Sequence, residues 1–398
     1  MYRKTYVEVD LDNIGKNVKN IINKYNDYKY YIAMVKSNAY GHGMYIVNTL
    51  IENGINYLAV SSLEEAIMIR KYNKDIPVLC SEIIDLDSIE VAINNDVTLT
   101  ICDLQYTKEL LKFVKNKKIK IHIKIDTGMN RLGINNKEEF NKVYDILKNN
   151  KYIILEGLYT HFATPGISDK FYDNQIDRFK EITSDIDLKS IPIIHMASSF
   201  ILLSHPKIKF SNGCRIGTII YGYDISLKSL NNSPKNILRK IRTNYLVKKY
   251  KISQTYKDID INLNKCFKIK TNIMQIKEVK KGDKVGYGLL YTAKKDTKIA
   301  TIPIGYDDGI GINHNGRYVL INNKKYNVVG EISMCMMNIE IDDSVKLNDE
   351  VIVVGDTITL GYIAQLNNTS FHNTLVNIGK KLPKVYIKNN KVVHEEEY

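Results

Sequence analysis

The sequence predicts an α/β protein: a (β/α)8 TIM-type barrel followed by a mostly β carboxyl-terminal domain. Two observations carry this. Short β-branched runs alternate with helix-period stretches through the first half of the chain, and strands joined by Gly-Asp turns replace that alternation in the second. Strands are expected near 30–36 (YYIAMVK), 57–61 (YLAVS), 76–80 (IPVLC) and 97–102 (VTLTIC). Four more are expected near 119–126 (IKIHIKID), 152–160 (YIILEGLYT), 191–196 (IPIIHM) and 214–219 (CRIGTI). Segments such as LEEAIMIRKY and NKEEFNKVYDILKNN place apolar residues three and four apart, as amphipathic helices do. Eight such strand-helix units give a barrel over residues 1–235. Beyond it, VKKGDKVGYG, NVVGEISMCMMNIEIDD and VKLNDEVIVVGD read as antiparallel strands of a second domain over 236–398, with a strand near 5–10 as a candidate to join it.

The bulk properties bound the function. At 398 residues the chain is long enough for two domains, and 44% hydrophobic with 25% charged residues is ordinary globular composition. The sequence has no apolar run of membrane-spanning length, and the start, MYRKTYVEVDLDNI, lacks the apolar core of a signal peptide, so a cytoplasmic place with no membrane contact is expected. Five scattered cysteines without metal-ligand spacing predict reduced thiols and no metal site. The net charge of +13 comes from lysines dispersed along the chain with no aromatic-basic motif, which predicts a solvated surface and no nucleic-acid partner. The densest basic stretch, KNILRKIRTNYLVKKYK at 235–251, reads as a surface crossing between the domains.

Barrel enzymes carry their chemistry at the carboxyl ends of the strands. Lys36 closes the first strand there, and the stretch it opens, KSNAYGHG, reads on its own as a Gly-rich turn. In IKIHIKID, the isoleucines share one face, while Lys120, His122, Lys124 and Asp126 share the other. Helices covering the barrel demand the apolar face, so the charges turn into the lumen and need partners, with Arg131 a candidate for Asp126. The last two strands end in HMASS (195–199) and CRIGTIIYG (214–222), whose small residues suit a phosphate site. A phosphorylated cofactor beside a rim lysine points to pyridoxal 5′-phosphate, which lysine binds as a Schiff base. Neither a dinucleotide nor a triphosphate fingerprint is present.

The chain resembles the alanine racemases over nearly its whole length. The resemblance rests on AMVKSNAYGHG, KIDTGMNRLGI, LEGLYTHFATP with Gln175 and Phe179 following, RIGTIIYG, DKVGYGLLY and TIPIGYDDG, in the family's order. It implies a homodimer with shared active sites that interconverts L- and D-alanine and supplies D-alanine for peptidoglycan. By the same resemblance, Lys36 is the Schiff-base lysine and one catalytic base, and Tyr287 of the partner subunit is the other. Tyr40, Ser199, Gly217 and Thr218 match phosphate-binding positions, and Arg215 the arginine at the pyridine nitrogen, with His161 behind it. Arg131 matches an arginine near the cofactor oxygen, Lys124 a lysine often found carbamylated, and Tyr306 a tyrosine at the entrance. Met334 offers its backbone N–H to a substrate carboxylate. Where the family usually carries C-M-D-Q, this chain has SMCM at 333–336, so Cys335 and Met336 replace an aspartate and a glutamine. Ser198 and Asp307 replace an asparagine and an alanine of the family pattern. The replacements make serine, or a broader amino-acid range, the alternative substrate. A barrel that only stores the cofactor is the alternative without catalysis.

Overall fold

The structure, a computed structural model, describes residues 2–114, 116–164, 169–223 and 261–397, with five isolated positions between 234 and 245. The chain divides into two compact units, one of residues 15–39 and 44–264, the other of 1–14, 40–43 and 265–398.

The first unit is a closed barrel. Its strands are β2 (Tyr30–Met34), β3 (Tyr57–Val60), β4 (Val78–Cys80), β5 (Val97–Ile101), β6 (Ile119–Lys124), β7 (Ile153–Tyr159), β8 (Ile193–Ser198) and β9 (Gly213–Ile216), all paired in parallel. Closure comes from β2 lying beside β9, with Ile32 opposite Arg215. Continuous burial of β3, β4 and β5 explains their unbroken apolar runs, because helices cover one face and the lumen fills the other. Three of the covering helices start where a side chain satisfies a backbone N–H: Ser62 accepts from Glu65, Asp103 from Tyr106 and Asn136 from Glu139. Two strands are displaced from their sequence-based spans. The strand expected at 191–196 runs Ile193–Ser198, and the one at 214–219 stops at Ile216, because Gly217 and Thr218 have already turned toward the rim.

The second unit is built on a ten-stranded sheet. It contains β1 (Tyr6–Asp10), β10 (Phe267–Asn272), β11 (Gln275–Val279), β14 (Thr297–Ile302), β15 (Tyr318–Ile321), β16 (Lys324–Val329), β17 (Met337–Ile341), β18 (Glu350–Val354), β19 (Lys384–Lys388) and β20 (Lys391–Glu396). A separate two-stranded ribbon pairs β12 (Lys284–Val285) with β13 (Tyr291–Thr292). The amino-terminal strand β1 runs antiparallel to β10 and parallel to β19, with Val7 and Val9 fully buried. The boundary expected at 235/236 lies outside the described residues, as does the basic segment 235–260 apart from isolated positions. Among the described residues, no helix is long and apolar enough to cross a membrane.

Candidate active site

Parallel strands bring every carboxyl end to one rim of the barrel, and three neighbours, β8, β9 and β2, carry the densest set of candidates there. Ser199 follows β8 directly, Gly217 and Thr218 follow β9, and Lys36 stands two residues past β2. Ser199 Oγ accepts the Gly217 N–H at 2.8 Å, tying the loops after β8 and β9 together. Ser199, Arg215 and Thr218 are buried, and Lys36 is half-buried.

The chain after Lys36 is not a simple Gly-rich turn. Ser37, Asn38, Ala39 and Tyr40 all have φ between 51° and 53°, a turn of left-handed helix made entirely of residues with side chains. Each such residue costs roughly 1–2 kcal/mol relative to a right-handed turn. The Ala39 N–H bonds to the Val35 carbonyl at 2.8 Å, and the Ser37 N–H donates to Glu65 Oε1 at 2.5 Å. Tyr40 opens the short segment 40–43 that belongs to the second unit. There Gly43, at φ 85°, lies so close to Tyr386 that a Cβ would come within 1.9 Å of the phenol oxygen. The two glycines of KSNAYGHG therefore serve the exit from the turn, and Gly43 also serves the packing beyond it.

Inside the barrel, Arg215 is buried and meets five acceptors. Its Nη1 donates to His195 Nδ1 at 2.9 Å and to the His195 carbonyl at 2.6 Å. Nη2 donates to the Thr160 carbonyl at 2.7 Å, and at 3.3 Å to His161 Nδ1 and the Met196 carbonyl. Because a guanidinium only donates, His195 Nδ1 must accept, which places its proton on Nε2. That proton points at His122 Nδ1, 2.9 Å away, and His122 Nε2 then donates to Glu156 Oε2 at 3.1 Å. Tyr57 donates to the same oxygen at 2.6 Å. A directed file of hydrogen bonds thus runs from Arg215 to a carboxylate. Burial holds His195, His122 and His161 below the usual histidine range, His161 at about 3, with the Arg215 charge acting in the same direction. Burial also lowers Arg215, to about 10. His195, Glu156 and Tyr57 were not singled out from the sequence; the histidine inside HMASS and the polar residue inside YIILEGLYT were the signals available.

Lys124, Asp126, Arg131 and His161 line one pocket with Ile125, Met129 and Leu132. Asp126 does not take the Arg131 guanidinium as the partner expected for it. Its Oδ1 accepts the backbone N–H groups of Gly128, Met129 and Asn130, and Oδ2 that of Arg131, all within 3.1 Å. The carboxylate folds the loop back and leaves the Arg131 side chain exposed. Lys124 is buried against the Tyr159 ring, 5.6 Å from its centroid. Burial lowers its ammonium to about 8; Cys102 opposes this, and Arg131 and Arg215 push it further down. A base with a lowered folded-state value releases its proton first in the folded state, so unfolding takes up a proton between pH 8 and 10.5. Folding stability gains a rising contribution from Lys124 across that window. Lys124→Met is expected to flatten the alkaline side of the urea-unfolding profile between those pH values and to leave the profile near pH 6 with the same slope.

The remaining candidates lie in the second unit on adjoining loops. Tyr287 begins a short turn flanked by Gly286, whose added Cβ would stand 3.3 Å from the Glu331 nitrogen. The Tyr306 N–H donates to the Ser333 carbonyl and the Asp307 N–H to the Met334 carbonyl, at 3.1 and 3.0 Å. Tyr287, Tyr306 and Met334 are all exposed, Tyr287 at 69%. Gly305 makes the contact possible, since a Cβ there would fall 2.2 Å from the Ser333 carbonyl oxygen. Gly305→Ala is expected to destabilise the protein by about 2–3 kcal/mol, seen as a lower urea midpoint, because backbone rather than a flexible side chain must move.

Comparison with known proteins agrees along the whole chain. The family model for the alanine racemase N-terminal domain matches residues 9–225, and that for the alanine racemase C-terminal domain matches 266–386. Alanine racemase 2 of Caldanaerobacter subterraneus subsp. tengcongensis is 33% identical over 409 residues, covering 100% of this chain and 98% of the relative. An alanine racemase of Clostridium perfringens SM101 is 34% identical, with the same coverage. Among solved structures, alanine racemase of Clostridium difficile 630 superposes with a TM-score of 0.86 at 30% identity, covering 100% of this chain and 99% of that one. The Bacillus anthracis alanine racemase, solved with bound L-Ala-P, gives 0.85 at 31% identity, covering 100% and 98%.

Proposed function

The chain belongs to the alanine racemase family and is an amino-acid racemase; from that premise we propose that it interconverts L- and D-alanine with pyridoxal 5′-phosphate, through two bases, in the shared active sites of a homodimer. The observation that carries the reading is the grouping of Lys36, Arg215, Ser199, Gly217 and Thr218 on three neighbouring strand ends. This donor set fits the cofactor: a primary amine for its aldehyde, two buried hydroxyls for its phosphate, and a fixed cation for its ring. Tyr40 supplies a further phosphate donor in this reading. Bound there, pyridoxal phosphate supplies a sink for the electron pair left when the substrate α-proton departs.

The rest is done by the chain's own groups. Lys36 would hold the cofactor through its amine, and that amine, when free, would take or return the substrate α-proton on one face. Tyr287 of the partner subunit does the same on the other face, so neither base need cross the substrate. Arg215 keeps its own protons and directs both terminal nitrogens to lumen partners, so as the cation beside the cofactor ring it would hold the ring nitrogen without protonating it. His161 backs that guanidinium. Arg131 favours the phenolate of Tyr287 of the partner subunit, and the Met334 N–H and Tyr306 define the substrate entrance. The exposure of Tyr287, Leu289, Leu290 and Met334 on one set of loops supports coverage by a second copy. With its ammonium held near 8, Lys124 offers a neutral amine at mildly alkaline pH, the form that adds carbon dioxide to give a carbamate and a proton. The enzyme would work in the cytoplasm and feed D-alanine to peptidoglycan.

Borohydride reduction of protein loaded with pyridoxal phosphate, followed by peptide mapping, is expected to label Lys36. Deuterium wash-in at the α-carbon across an amino-acid panel is expected to be fastest with alanine. The second reading, serine or a broader range, is favoured by the exposed Cys335 and Met336 where the family carries polar residues. Serine exchanging far faster than alanine would establish it and end the alanine assignment.

A further inference from the structure

We infer that Glu65 is a positioning residue that holds the left-handed turn behind Lys36 and so aims the lysine amine at the barrel rim. The inference rests on the reading of Lys36 as the cofactor-holding amine. Four successive residues with side chains, Ser37 to Tyr40, occupy a conformation that L-residues avoid, and of the four only Asn38 is a residue type that adopts it readily. Such a turn persists only where its surroundings over-determine it. At its start stands a carboxylate: Glu65 Oε1 accepts the Ser37 N–H at 2.5 Å. The other oxygen, Oε2, accepts the N–H and the hydroxyl of Ser61 at 3.0 and 3.1 Å.

Glu65 is itself fixed. It lies in the first turn of the helix Leu63–Arg70, and its own N–H donates to the capping Ser62 hydroxyl. One carboxylate therefore ties the loop after β2 to the loop after β3, and both oxygens are needed to do it. An amide at this position can accept for one loop only, because its nitrogen presents donors where the other loop also presents a donor. The mechanism asks nothing else of Glu65, since a group that bonds a backbone N–H one residue past Lys36 acts through the geometry of that lysine.

The test compares wild type with Glu65→Gln, Glu65→Ala and each of these combined with Ser37→Gly. Glycine adopts positive φ without the steric cost, so it should repair a defect that arises in the turn and no other. Two readouts are taken on the full chain: amide hydrogen exchange over 36–41 without cofactor, and covalent capture of pyridoxal phosphate at Lys36. Loss of a charge-assisted hydrogen bond predicts exchange faster by about tenfold or more in Glu65→Ala and capture weakened by a similar factor, with Glu65→Gln between it and wild type. Ser37→Gly is expected to recover most of the capture in both backgrounds. Unchanged exchange and capture in the glutamine and alanine variants would overturn the proposal, as would failure of Ser37→Gly to rescue either. If Glu65→Ala does not fold, the isosteric Glu65→Gln pair decides alone. Should borohydride label another lysine in wild type, the assignment of Lys36 falls, while the exchange comparison still decides what Glu65 holds.

Discussion

Mixing Lys36→Ala chains with Tyr287→Phe chains is expected to restore racemisation that neither variant supports alone. Each substitution removes one of the two proposed bases, and a positioned proton-transfer group is worth about 10²–10⁴ in rate. If each site combines Lys36 of one subunit with Tyr287 of the partner subunit, a hybrid dimer has one site lacking both bases and one site intact. Random reassortment makes half the dimers hybrids, each with one working site of two, so activity should return to about a quarter of wild type. Racemisation is measured by polarimetry or coupled D-alanine oxidation, after mild dissociation and reassociation of the mixture. Tyr287→Phe alone must still capture pyridoxal phosphate at Lys36, which separates loss of the second base from loss of the first. No recovery on mixing, with subunit exchange verified by native mass spectrometry, would place both bases in one chain and sink the shared-site proposal.

The barrel was legible in the sequence because its evidence is local. Runs such as YYIAMV and VTLTIC declare buried parallel strands within a few residues, and the alternation in IKIHIKID turns His122 and Lys124 away from the isoleucine face; both are buried. What the sequence left dark depends on closure or on distant partners. The pairing of β1 with β10 and β19 joins residues more than 250 apart, and no local pattern encodes it. Likewise His122 and His195 were visible as residues, but their 2.9 Å contact exists only because a closed barrel brings β6 and β8 across the lumen. The left-handed turn was hidden for the opposite reason. Ser-Asn-Ala-Tyr carries no strong preference for positive φ, so the conformation is imposed by what surrounds it, Glu65 among others. Asp126 shows the same limit on a smaller scale: a charge needing a partner was inferred correctly, while four backbone amides rather than a guanidinium supply it.

Arg215→Leu is expected to be the most destabilising single change in the lumen, and its effect should be readable at His195. Leucine fills part of the space but donates nothing, so His195 Nδ1 and the Thr160 and His195 carbonyls lose their closest donor. Each buried group left unsatisfied costs about 1–3 kcal/mol. Against this, leucine removes the desolvation of a buried cation, the same burial that lowers Arg215 to about 10. The balance should be a net loss of about 2–4 kcal/mol in urea unfolding, with Arg215→Lys losing less because its ammonium still donates to the nearest acceptors. The pH profile adds a check on cause. His195 and His122 are held neutral in the folded state, whereas in the unfolded chain they protonate near 6.5, so wild-type stability falls as pH drops below that value. Part of that depression comes from the Arg215 charge, and without it the acid limb should be shallower even though the protein is less stable overall. Nitrogen-15 spectra of the histidines should still show the His195 proton on Nε2, because the Glu156 carboxylate fixes the file from its other end, while the His195 Nδ1 signal shifts with the loss of its guanidinium donor. An acid limb as steep as wild type, with an unchanged His195 signal, would mean that the file of hydrogen bonds from Arg215 to Glu156 does not set the state of these rings.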